Sequence, residues 1–111
     1  MDTLKLSKPI MINGEEVKEL TYDFEEMTAQ DKLKAGQKYK KAGKVIQVEE
    51  LDSDYHLYLF VEAVLKANPG MDSTDVLRIS AKDSAKAEAK TRDFFFIDSE
   101  ESYQTDISRE Q

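Results

Sequence analysis

The sequence predicts an α+β, mostly α fold: an N-terminal β-hairpin packed on a small bundle of about three helices. Three observations carry this expectation. Apolar residues alternate at every second position up to residue 24, then recur at three- and four-residue steps from residue 28 onward. Asn13-Gly14, a strong hairpin-turn signal, separates the two alternating runs. The 111 residues are 40% hydrophobic and 35% charged, which suits one charge-rich folded domain over 1–97 with a modest core.

The hairpin is expected over residues 3–24. Leu4, Leu6, Ile10 and Ile12 alternate before the turn, and Leu20, Tyr22 and Phe24 alternate after it. A two-residue turn at Asn13-Gly14 would set Leu6 opposite Thr21 and throw the two apolar rows onto opposite faces. A three-residue loop, Ile12-Asn13-Gly14, would set Leu6 opposite Leu20 and Leu4 opposite Tyr22, leaving one apolar face. The three-residue loop is therefore the expected connection. Pro9 lacks an N–H and belongs at a sheet edge.

Helices are expected near 29–42, 54–67 and 81–96. Thr28 can cap the N–H of Asp31, and Gly43 can end the first helix. Ala29, Leu33, Gly36 and Tyr39 give that helix a thin apolar stripe among its lysines. Val45-Ile46-Gln47-Val48 reads as a short strand or an extended linker. The second helix starts at Asp52 or Ser53 and is apolar nearly all round, with Glu62 and Lys66 as its polar stripe. Such a helix belongs in the middle of the fold, and Leu57, Phe60, Val64 and Leu65 are its expected anchors. Asn68-Pro69-Gly70 stops it. A short turn holds Val76 and Leu77, and Ser80 with Asp83 resembles a capping box for the alanine-rich last helix. That helix closes on Phe94-Phe95-Phe96-Ile97. Residues 98–111 carry five carboxylates against Arg109, net −4, with only Tyr103 and Ile107 as large apolar residues. An acidic flexible tail is expected there.

Composition closes off many functions. With no cysteine, thiolate zinc sites, disulfides and cysteine nucleophiles are excluded. A net charge of −7 argues against nucleic-acid binding. Leu57–Leu65, the longest strongly apolar stretch, already contains Glu62 and is too short for a membrane span. Met1–Lys5 lacks a basic head followed by an apolar core, so no secretory signal is expected.

Chemical motifs fail on spacing. Gly36 and Gly43-Lys44 are separated by six residues where a phosphate loop needs four, and Val45 follows where Ser or Thr is required. Asp52-Ser53-Asp54 opens like a calcium loop, but Leu57 and Ala63 fall where Gly and Glu are needed. His56, the single histidine, has no evident partner set with Ser53 or Ser84 and is expected at the surface or an interface. Neither catalytic, metal nor cofactor sites are expected. Lys32, Lys34, Lys38, Lys40, Lys41 and Lys44 form a basic helix, read first as a solvated face and second as a surface for an acidic partner.

At this point the chain resembles the small tail assembly chaperones of long-tailed bacteriophages. The resemblance rests on Leu6-Ser7-Lys8-Pro9-Ile10, Asn13-Gly14, Val17–Tyr22, Thr28 with Asp31, Leu59–Leu65, Leu77-Arg78-Ile79-Ser80 with Asp83, and Phe94-Phe95-Phe96. It spans residues 4–97. The resemblance implies a non-enzymatic protein of the host cytoplasm that coats the tape-measure protein, keeps it soluble, and leaves as tail-tube protein polymerises. It also implies absence from the mature virion. The alternative expectation is a small structural or adaptor subunit retained in the phage tail. The expected partner-binding residues are Tyr58, Phe60, Val61 and Leu65 on the central helix with Phe94, Phe95 and Phe96, and weak self-association is expected alongside.

Overall fold

Asn13 and Gly14 both take positive φ, +51° and +80°, which only a tight two-residue hairpin turn of the primed type requires. The computed structural model describes residues 1–97, and the expected acidic tail, 98–111, lies outside the described residues. Strands β1 (Asp2–Ile12) and β2 (Glu15–Tyr22) form a two-stranded antiparallel sheet. The turn corrects the expected three-residue loop, since Ile12 pairs with Glu15 and Ile10 with Val17.

A register shift, instead of a longer loop, brings the apolar rows together. Between the pairs Lys5–Glu19 and Ile10–Val17, β1 has four residues (Leu6, Ser7, Lys8, Pro9) and β2 only Lys18. Three extra residues are an odd number, so the parity of the pairing flips beyond the shift. Leu4 then lies opposite Leu20, and both are buried with Ile10, Ile12 and Tyr22. Pro9 falls in the shifted stretch, where no ladder N–H is missed.

Helix α1 (Ala29–Lys41) begins at a Thr28/Asp31 capping box: Asp31 N–H donates to the Thr28 hydroxyl, and Thr28 N–H donates to the Asp31 carboxylate. It ends in a Schellman motif, with Gly43 at φ +85°, Gly43 N–H bonded to Lys40 C=O and Lys44 N–H to Tyr39 C=O. Its buried face is Asp31, Ala35 and Tyr39. The expected stripe is therefore rotated, and Leu33 is 66% exposed. Small Ala35 admits α2, while Lys66–Asp31 and Lys38–Glu62 ion pairs strap the two helices on either side.

A 3-10 turn (Glu49–Leu51) leads into α2 (Ser53–Ala67), capped by Asp52. Helix α2 touches α1, β2, the short helix α3 (Ser73–Val76) and α4 (Ala81–Arg92). The all-round apolar helix thus is the centre. Phe60 and Val64 are fully buried as expected, together with Leu59, Val61 and Ala63. Leu57 and Leu65 are only half-buried, so they rank below Leu59 and Val61 as anchors. Asn68 clips the end of α2 to the sheet, donating to Thr21 C=O and to Val64 C=O, both at 2.8 Å.

The last helix departs from expectation at both ends. At its start Ser80 caps the Asp83 N–H, but the Asp83 carboxylate turns to the sheet, so the reciprocal half of a capping box does not form. At its end α-geometry stops at Arg92 and a π-helical turn, Asp93–Ile97, carries the phenylalanines. Between α1 and the 3-10 turn, residues 44–48 pair with no strand.

Candidate protein-binding surface

The π-turn sets three successive phenylalanines at the junction of the two apolar clusters. One cluster joins the sheet to α2 and α4 around Phe60, and the other joins α1 to α2 around Tyr39, Tyr55 and Leu59. Phe94 and Phe95 pack on Phe24, with ring centres at 5.1 and 5.3 Å, and Phe96 packs on His56 at 5.1 Å. All three remain half-buried, each with one side on the core and one toward solvent. Such π-helical turns recur at functional sites.

The expected partner-binding residues on α2 divide sharply. Phe60 is 0% and Val61 2% exposed, so neither offers surface to a partner in this fold. Their burial follows from the central position of α2, which has neighbours on most of its circumference. Tyr58 is half-buried against the Tyr39 ring at 5.2 Å, on the side of α2 that faces α1. Leu65 is half-buried against the sheet-side cluster.

A group of exposed apolar side chains lies elsewhere. Val45, Val48 and Leu51 are 77%, 47% and 78% exposed and line one shallow depression of about 420 Å³ with Gln47, Asp52, Ser53 and Asp54. A second depression of about 210 Å³, formed by Lys40, Lys44, Val45 and Ile46, shares Val45 with the first. The sequence did signal this segment, as a β-branched run after a helix-ending glycine, but nothing local showed that it would stay unpaired.

Polar groups around these surfaces are engaged structurally. Tyr39 donates its hydroxyl to Asp52 at 2.6 Å, and the same carboxylate oxygen caps the Tyr55 N–H. Burial, then the Asp52 carboxylate, pushes the Tyr39 phenol far above its ordinary value; burial and Glu49 do the same to Tyr55. His56 is buried, correcting its expected surface position, and its Nε2–H donates to the Glu49 carbonyl at 2.7 Å. That bond ties the 3-10 turn to α2. Of the basic helix, Lys38 reaches Glu62 and Ser73, Lys32 reaches Glu49, and Lys44 reaches Asp54. These lysines neutralise neighbouring carboxylates and do not form a uniformly positive face.

Among the described residues, no group of three or more His, Asp or Glu side chains is placed to hold a metal ion. Among them, too, no helix is long and apolar enough to cross a membrane. Comparison with protein-family models, with curated proteins and with solved structures finds no match.

Proposed function

We propose that this chain is a non-catalytic tail assembly chaperone, which binds and solubilises a phage tape-measure protein in the host cytoplasm and leaves before the virion is complete. The observation that carries the reading is the half-exposed Phe94–Phe96 run, held in a π-turn at the junction of both apolar clusters. Partly buried aromatic side chains offer large contact area at small entropic cost, because their rings are already held on one side. A long amphipathic helix presents apolar anchors at matching three- and four-residue steps. Many copies of a weak binder along such a helix reach high avidity. The sequence resemblance over residues 4–97 supports the same reading.

The test is co-expression with the tape-measure protein, expected as a long helical reading frame immediately downstream. A soluble complex that elutes together, and that loses most of its affinity in Phe96→Ser while the variant keeps its circular dichroism, supports the reading. An insoluble tape-measure protein with and without this chain sinks it. Apolar recognition should lose little between about 0.15 M and 1 M salt, where exposed charge pairs are largely screened.

A further inference from the structure

We infer that the connector between α1 and α2 is a self-docking surface whose occupant is a second copy of this chain, laid antiparallel across residues 44–51. The inference is independent of the chaperone reading, since it concerns a different surface and needs only the purified chain.

Three observations meet on this segment. Val45, Val48 and Leu51 form a row of exposed apolar side chains along one depression, the kind of patch that marks an interaction site when it is contiguous. The backbone N–H groups of Val45, Ile46 and Gln47 find no acceptor among the described residues. A β-branched stretch with free amides is a template for pairing with another extended chain. The bend at Gln47 keeps such pairing short, so the side chains carry most of the contact.

Charge selects the occupant. Lys40, Lys41 and Lys44 stand at the N-terminal end of the segment, and Glu49, Glu50, Asp52 and Asp54 at its C-terminal end. A second copy related by a two-fold axis near Ile46 and Gln47 runs in the opposite direction. Lys44 of each copy then comes beside Glu50 of the other, Glu49 being held by Lys32, and Val45 meets Val48. Parallel apposition would set like charges together, and opposite charges across a pair are worth a factor of a few each. The internal Lys44–Asp54 pair is solvent-exposed and exchanges readily for an intermolecular one. An isologous contact of this kind closes at the dimer. Eight residues per copy fall well short of the roughly 800 Å² per partner of a standard interface, so the dimer is weak, with a dissociation constant of about 10 µM to 1 mM.

Sedimentation velocity of the full chain, from about 10 µM to 1 mM, tests this. The expected result is a rise in mass toward the dimer that Leu51→Asp and Val48→Asp abolish. Both residues are substantially exposed, so melting curves should stay close to wild type. Lys44→Glu or Glu50→Lys alone should weaken the dimer about fivefold, and the double swap should restore it. A wild-type chain that stays monomeric overturns the inference. So does a dimer that survives Leu51→Asp, or one that the double swap weakens further than either single change. A monomer that engages a tape-measure protein through Leu51 would place that partner on the surface instead, and would overturn it as well.

Discussion

Asp83 accepts the backbone N–H of Ser7, 76 positions away, through both carboxylate oxygens, at 2.8 and 3.0 Å. Lys8 N–H and the Ser7 hydroxyl donate to the same carboxylate, as do the Ser80 hydroxyl and Lys86. The amides come from the stretch of β1 where the register shift interrupts the ladder. One fully buried acid therefore replaces the missing strand partner and anchors α4 to the sheet.

Removing that acid should be among the most damaging single changes in the chain. Asp83→Ala removes the buried carboxylate that the Ser7 and Lys8 amides, the Ser7 and Ser80 hydroxyls and Lys86 all reach, a loss of about 2–3 kcal/mol. Asp83→Asn keeps one carbonyl acceptor and should lose roughly half as much. Urea midpoints for the two variants check the ranking, and a midpoint unchanged in Asp83→Ala would show that the joint does not hold the sheet.

The same residue predicts how stability responds to acid. Burial favours the neutral form, but the Ser7 and Lys8 amides, the Ser7 hydroxyl and Lys86 outweigh it and hold Asp83 well below the usual carboxylate range. Asp31 is also lowered, first by the Thr28 N–H and further by Lys66, against the opposing effect of burial. A carboxyl depressed in the folded state contributes stability that is fully present above its unfolded pKa, about 3.9, and is lost as pH falls toward the folded value. Stability should therefore be flat above about pH 5 and fall steadily below pH 4. Asp83→Asn should flatten the acid limb; an unaltered limb would assign the pH dependence to other groups.

The core of α2 yields a graded pair. Phe60→Ala empties a fully buried site between the sheet and α4 and should cost about 3–5 kcal/mol. Leu65→Ala removes a half-buried side chain and should cost about 1–2 kcal/mol. Equal losses would show that the two positions are buried alike in solution.

What the sequence revealed, and what it hid, follows the range of the forces involved. Helix caps and turn residues act within a few positions, so Thr28 and Gly43 were legible with their roles, and the start of α2 was narrowed to Asp52 or Ser53. The all-round apolar pattern of α2 placed it at the centre for the same reason. Sheet register was not legible, because the shift in β1 depends on an acceptor supplied from α4. The buried face of α1 was missed: Ala35 faces α2 and Leu33 is exposed, with the Lys38–Glu62 and Asp31–Lys66 pairs beside the contact. Among the expected binding residues, composition alone could not separate Phe60 and Val61, facing the sheet and α4, from the half-exposed phenylalanines of the π-turn.

Two glycines should respond to the same substitution with opposite sign. At both Gly14 and Gly36 an added Cβ would meet nothing within 4 Å, so crowding is not a factor at either. Gly14 sits at φ +80° in the hairpin turn, a conformation that costs an L side chain roughly 1–2 kcal/mol. Gly14→Ala should destabilise by about that amount. Gly36 lies inside α1 in ordinary helical geometry. There alanine restricts the unfolded chain and favours the helix, so Gly36→Ala should stabilise by about 0.5–1 kcal/mol. Thermal melts of the two variants, moving in opposite directions from the wild type, are the expected result. A loss of stability in Gly36→Ala would mean that α1 approaches a neighbour more closely at that position than the present packing shows.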